Sequence, residues 1–272
     1  MLGRFGVEVT FVDGTDLDQW RAAVRPGTKA VFFESVSNPT LEVADIGAIA
    51  EIAHAVGALV IVDNVFATPV FSTAVRQGAD VVIYSATKHI DGQGRALGGV
   101  VCASQAFIRK VLEPFMKHTG GSMSPFNAWL MLNGMATLDL RCRAMADTAE
   151  KIARALEGHP QLGRVIHPAL ESHPQHEMAK AQMERPGTMI ALDLAGGKGG
   201  GLPLPRRPED REDLQQSGRC PLDRDPPGND HPPASFRRAE GPSRHHARAR
   251  AAVGGARGCG RPDRRSGNRR SR

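Results

Sequence analysis

The chain has 272 residues, 40% of them hydrophobic, and a formal net charge of +6, enough apolar material for a sizeable core. The charge is uneven: residues 198–272 hold one Lys and seventeen Arg against nine acids, a balance of +9 that leaves −3 for residues 1–197. Cys102, Cys142, Cys220 and Cys259 have no metal-ligand, redox or disulfide-framework spacing, and neither a signal peptide nor a long uncharged apolar run is present. These features predict a cytoplasmic protein with no metal and no membrane association, in which Cys102 and Cys142 are small buried hydrophobes.

The basic tail is set apart by composition. Beyond residue 197 the only large apolar residues are Leu202, Leu204, Leu214, Leu222, Phe236 and Val253, too few to offset the entropy of ordering the segment. Residues 198–272 are therefore expected to be disordered. A nucleic-acid-binding tail and a natural linker are two readings, but acids are interspersed among the arginines and stacking aromatics are almost absent, so a nucleic-acid partner is not expected. The favoured reading is a frame-shifted translation of GC-rich DNA. Arg, Pro, Gly and Ala are the products of CGN, CCN, GGN and GCN codons, and Ile, Met, Tyr and Trp vanish after Leu194.

In chain order, Val7–Val12 alternates and ends at Asp13-Gly14, which predicts a strand closed by a turn. A domain that opens on a core strand is expected to be truncated at its front. Residues 16–24 fit a short helix with Leu17, Trp20, Ala23 and Val24 on one face, ended by Pro26-Gly27. Lys29–Ser35 is a strand feeding the loop Ser35–Thr40. Asp45 caps a helix whose Ile46, Ile49, Ala53 and Val56 recur at helical spacing up to Gly57. Ala58–Val62 and Asp80–Tyr84 are near-continuous apolar runs, the pattern of parallel strands covered on both faces, with a helix expected over Pro69–Gln77 between them.

Gly98–Ala103 predicts a further strand and Ser104–Lys117 a helix. Ser124-Pro125 marks the start of a long helix reaching about Glu157. Gly163–Ile166 and Gly187–Leu194 read as strands of a smaller domain. The expected organisation is thus a partial cofactor-binding domain over 1–122, a linking helix with a partial C-terminal domain over 123–197, and the tail. The strands deliver their polar residues at their carboxyl ends, where open α/β sheets bind ligands.

Two strand ends carry the chemistry: Val60-Ile61-Val62-Asp63-Asn64 ends in a carboxylate, and Val82-Ile83-Tyr84-Ser85-Ala86-Thr87-Lys88-His89 in two hydroxyls and an amine. With Ser37-Asn38-Pro39, the run Asp63–Pro69 and the extension Lys88–Arg95, these motifs resemble the Cys/Met-metabolism family of pyridoxal-phosphate enzymes over about residues 3–197. The extension is most similar to the O-succinylhomoserine sulfhydrylase branch. The resemblance implies the fold type I, pyridoxal-phosphate-dependent transferase fold: an α/β architecture with a mostly parallel sheet, flanking helices, and the start of a smaller α+β domain.

It further implies that Lys88 forms the Schiff base and then serves as acid and base at Cα and Cβ, with Asp63 facing the pyridine nitrogen. Ser85 and Thr87 would bind the phosphate, and Asn38 would lie near the phenolic oxygen. The implied reaction is γ-replacement, in which an amino-acid substrate, O-succinylhomoserine, and sulfide yield homocysteine and succinate in methionine biosynthesis. Cystathionine γ-synthase or γ-lyase chemistry is the runner-up; a catalytically dead remnant or an Arg-tailed nucleic-acid-binding protein is the alternative of another class. The family implies a homotetramer. Its phosphate-binding glycine loop, its ring-stacking aromatic and the Tyr and Arg lent by a neighbouring subunit would lie before residue 1, and its substrate-carboxylate arginine beyond residue 197.

Each residue also has a plainer reading. Asp63 could cap a loop, Ser85 and Thr87 could be turn residues, and Lys88 a solvated charge; their ordered occurrence at strand ends favours the site. His89 is expected to pack rather than catalyse. His173-Pro174-Gln175-His176 reads as a loop rather than a metal site, and Gly92-Gln93-Gly94 does not complete a dinucleotide fingerprint.

Overall fold

The computed structural model describes residues 2–195 and, as backbone, 248–253. Strands β1 (Glu8–Asp13), β2 (Ala30–Glu34), β3 (Leu59–Asp63), β4 (Val81–Ser85) and β5 (Gly99–Ala103) alternate with helices α1 (Leu17–Ala23), α2 (Ile46–His54) and α3 (Thr68–Phe71). β2, β3 and β4 are adjacent and parallel, with Glu34 in register with Asp63 and Asp63 with Ile83. β5 runs antiparallel to β4 and forms one edge of the sheet. The expected α/β architecture is present, with its parallel run confined to the three central strands.

The predicted helix starts are built by side-chain caps. Asp16 Oδ1 accepts the N–H groups of Asp18 and Gln19 at 3.0 and 3.1 Å, and Asp45 Oδ1 accepts that of Ala48 at 2.9 Å. Behind these caps, Ile46, Ile49 and Ala53 of α2 and Trp20 of α1 are fully buried against Val31, Phe33, Val60, Val62 and Val82 of the sheet. Trp20 meets Phe33 edge to face, with ring centroids 5.6 Å apart, and its indole N–H donates to the Gly14 carbonyl at 3.2 Å. The alternation of apolar residues on β2 and β3 thus becomes one continuous core.

Several expectations are corrected. The helix expected over Pro69–Gln77 is split into α3 and a 3₁₀ turn over Ala74–Gln77, because Ser72 is extended and its carbonyl accepts Asn64 Nδ2 at 3.1 Å. After β5 the chain forms α4 (Gln105–Phe107), a π turn (Ile108–Leu112) and α5 (Glu113–Thr119) rather than one regular helix. The long helix expected from Ser124 is two, α6 (Pro125–Met135) and α7 (Leu138–Leu156), broken at Thr137. Cys142 is buried as expected, but Cys102 is exposed because it lies on the edge strand.

The remaining strands, β6 (Leu162–Ile166) and β7 (Ala191–Leu194), form a separate antiparallel pair, with α8 (His176–Gln182) between them in sequence. The strand expected from Gly187 begins only at Ala191. Gln182 fastens this part to the main sheet's helices. Its Oε1 accepts the Ile46 N–H at 3.1 Å, its Nε2 donates to the Ala44 carbonyl at 3.0 Å, and its own carbonyl accepts Gln77 Nε2 at 2.9 Å. Val36, Leu41, Val43, Ala67, Ile166, Ala179 and Met183 form a second apolar cluster across the same junction.

The expected disorder and frame shift over 198–272 concern residues outside those described, except for β8 (Arg248–Val253). This strand lies between β1 and β2, antiparallel to both, and was not among the elements expected from the sequence. Main-chain pairing in a sheet requires only an extended backbone, which the few apolar residues of the segment do not forbid. No helix among the described residues is long and apolar enough to cross a membrane.

Candidate functional site

The parallel register of β2, β3 and β4 places their carboxyl ends on one edge. Asp63 is the last residue of β3 and Ser85 the last of its neighbour β4. From Ser85 the chain turns immediately: the Lys88 N–H donates to the Ser85 carbonyl at 3.2 Å, the Asp91 N–H to Ala86 at 2.8 Å, and the Gly92 N–H to Lys88 at 2.7 Å. The structure therefore brings Asp63, Ser85, Thr87 and Lys88 to one sheet edge. Asn38 lies on the loop after β2 at the same edge but is exposed, its N–H donating to Glu34 Oε2 at 3.0 Å.

Asp63 sits in surroundings that disfavour its charge. Burial raises its pKa above the usual carboxylate range, offset only in part by the Val65 N–H, which donates to Oδ1 at 3.0 Å. Its second oxygen receives no hydrogen bond among the described residues, nor does Ser85 Oγ take part in one. Thr87 Oγ1 accepts a long bond, 3.4 Å, from the Gly98 N–H. A half-buried carboxylate with an open acceptor matches a cationic ring N–H, and hydroxyls at a strand-end turn match a phosphate. The residues present fit pyridoxal phosphate.

Because the folded-state pKa of Asp63 is raised, its contribution to stability is fully present below the unfolded value of about 3.8 and is lost as pH rises through the higher folded value. Asp63→Asn keeps an acceptor for Val65 and removes that cost. The cofactor-free variant is expected to melt at a higher temperature than the parent at pH 7 and at the same temperature near pH 3. A lower melting point at pH 7 would show that the carboxylate stabilises the fold.

The turn after Lys88 is held from both sides. Asp91 is buried; burial opposes its charge, but the backbone N–H and guanidinium of Arg95 hold its pKa below the usual range, with Arg95 Nη2 and Nε 2.9 and 3.0 Å from Oδ1. From the other side Arg141 of α7 donates to the carbonyls of His89 at 2.9 Å and Ile90 at 3.3 Å. Sequence reasoning gave Arg95 only as the end of the Lys88–Arg95 motif, with no role, and missed Arg141. The Asp91–Arg95 spacing of four was a visible signal, whereas Arg141 lies about fifty residues from its partners and has no local signature.

His89 packs, as expected. Its Nε2 lies 2.9 Å from Thr188 Oγ1, and burial lowers its pKa to about 4, so it is neutral at physiological pH. His173 is buried with Nε2 3.0 Å from the Leu41 carbonyl, and His176 Nδ1 lies 2.9 Å from that of Pro168; no metal-holding cluster occurs among the described residues.

A family model for Cys/Met metabolism PLP-dependent enzymes matches residues 1–201. The chain belongs to this family. Among its members, O-succinylhomoserine sulfhydrylase of Mycobacterium tuberculosis is 48% identical over 194 residues, which are 71% of this chain and 48% of the relative. Canavanine gamma-lyase of Pseudomonas canavaninivorans is 46% identical over 195 residues, 71% of this chain and 49% of that protein. Crystalline cystathionine gamma-lyase from Lactobacillus plantarum, complexed with L-serine, superposes with a TM-score of 0.69 at 35% identity, covering 71% of this chain and 51% of that one. This member of the Cys/Met metabolism family thus spans about half the length of the relatives it matches, and that half includes the whole β3–β4 edge.

Proposed function

We propose that the β3–β4 edge holds pyridoxal phosphate covalently through Lys88 and serves γ-replacement on an O-acylhomoserine, with O-succinylhomoserine and sulfide giving homocysteine and succinate. The observation that carries this reading is the pairing of Asp63 and the Ser85–Lys88 turn on adjacent parallel strands, one offering an open carboxylate and the other hydroxyls and an amine. Pyridoxal phosphate supplies, when bound, an electron sink for negative charge at Cα and Cβ. Asp63 accepts the ring N–H and keeps that nitrogen protonated. Ser85 and Thr87 would donate to the cofactor's phosphate oxygens, and Asn38 would lie near its phenolic oxygen. With the cofactor bound, Lys88 would move protons at the substrate's Cα and Cβ.

Support for the sulfhydrylase comes from the 48% identity to the mycobacterial protein. The 46% identity to a canavanine gamma-lyase favours a second reading, γ-elimination at the same edge. Homotetramer assembly and a cytoplasmic location belong to the same proposal. Purified chain incubated with pyridoxal phosphate, reduced with borohydride and digested is expected to carry the pyridoxyl mass on the peptide containing Lys88. Label on other lysines alone would sink the reading. In a labelled chain, sulfide-dependent homocysteine formation separates replacement from elimination.

A further inference from the structure

Arg141 is placed unlike the other arginines of α7. Arg143 and Arg154 pair with carboxylates at the surface, whereas Arg141 has no carboxylate partner among the described residues and spends its guanidinium on backbone and a hydroxyl. Nη1 donates to the His89 carbonyl at 2.9 Å; Nη2 donates to Ile90 at 3.3 Å and Gly134 at 2.8 Å; Nε donates to Thr137 Oγ1 at 3.0 Å. Two of these acceptors immediately follow Lys88, and the other two line the break between α6 and α7.

The turn and the clamp are built for each other. Gly92 has φ +74°, and a Cβ there would strike Arg141 Nη1 and Cζ, so the turn leaves its space to the guanidinium. A planar guanidinium serves three carbonyls and a hydroxyl at once, four acceptors in a fixed fork, whereas an ammonium has only three donors.

We propose that Arg141 is a positioning residue for Lys88: by fixing the His89 and Ile90 peptides it sets where the Lys88 side chain leaves the β4 edge and how its amine is presented to a carbonyl-bearing cofactor. This rests on the reading of Lys88 given above. A group that acts on the amine only through the backbone should alter the rate of covalent capture more than the stability of the sheet.

The test compares the full chain with Arg141→Met, Arg141→Lys and Arg141→Ala. The rate of borohydride-trapped pyridoxal phosphate on the Lys88 peptide and amide hydrogen exchange over residues 88–92 are both followed. Arg141→Met is expected to trap about tenfold more slowly, the size of effect that sub-ångström misplacement of a reacting group produces. Exchange over 88–92 should rise while that of β2 and β3 stays unchanged. Arg141→Lys should recover part of the rate, and guanidinium ion at non-denaturing concentration should recover part of it in Arg141→Ala, a rescue that a helix-packing role would not give.

Unchanged trapping in Arg141→Met, or a slow Arg141→Ala that guanidinium does not speed, overturns the inference. If Arg141→Met does not fold, Gly92→Ala displaces the guanidinium without deleting it and must show the same slowing; full-rate trapping there overturns the inference equally. Absence of label at Lys88 in the parent chain overturns the cofactor reading and this one with it, so the parent lane tells the two failures apart.

Discussion

Lys88→Ala is expected to give a folded chain that takes up no borohydride-stable pyridoxal phosphate at the β4 edge. The turn bonds at position 88 are made by its backbone N–H and carbonyl, to Ser85 and from Gly92, and alanine makes both. The side chain is only half-buried, so its loss should change stability by less than about 1 kcal/mol. Mass spectrometry of the reduced digest measures the label, and thermal unfolding measures the fold. Parent-level label in a folded Lys88→Ala chain would move the amine elsewhere, and the reading of the Ser85–Lys88 turn would fall.

The second large effect is expected at Gly134→Ala. Alanine is the better helix former by roughly 0.5–1 kcal/mol, so local propensity predicts stabilisation. Packing predicts the reverse. The added Cβ would run into the Ile90 carbonyl oxygen and lie 2.9 Å from that of Asp91, and backbone on both sides cannot step aside as a flexible side chain would. Overpacking of this kind costs about 3 kcal/mol, so the expected net effect is a loss of about 2 kcal/mol. It is read as a drop in the urea midpoint at unchanged m-value. The sign decides: a rise in the midpoint would mean that α6 does not rest on the Lys88 turn.

The placement of the candidate site's strands was legible from the residues because its signals are local. Near-continuous apolar runs ending in Asp63 and Ser85 declare buried parallel strands, and the strand ends collect on one edge by the geometry of a parallel sheet. The helix starts at Asp45 and Ser124 were equally visible, since a cap bonds within three residues.

What escaped notice depends on distant partners. Ser72 breaks the expected helix because Asn64, eight residues back, needs its carbonyl. Thr137 interrupts the helix begun at Ser124 where Gly134 and Arg141 seat against residues 89–91, some fifty positions earlier. Cys102 looks like a core residue by type, yet only the order of strands shows that β5 has no further neighbour among the described residues. β8 was hidden by composition, since hydrogen bonding along a strand leaves little trace in residue choice.

The three bonds of Gln182 bear on how the molecule can move. They join the end of α8 to the start of α2 and to the 3₁₀ turn before β4, and the Val36–Met183 cluster seals the same seam with apolar contact. The end of α8 is therefore fastened to the sheet's helices, and a hinge between α8 and the sheet would have to break all three bonds and open the apolar seam together. Motion of α8 thus follows motion of the sheet's helices rather than occurring apart from it.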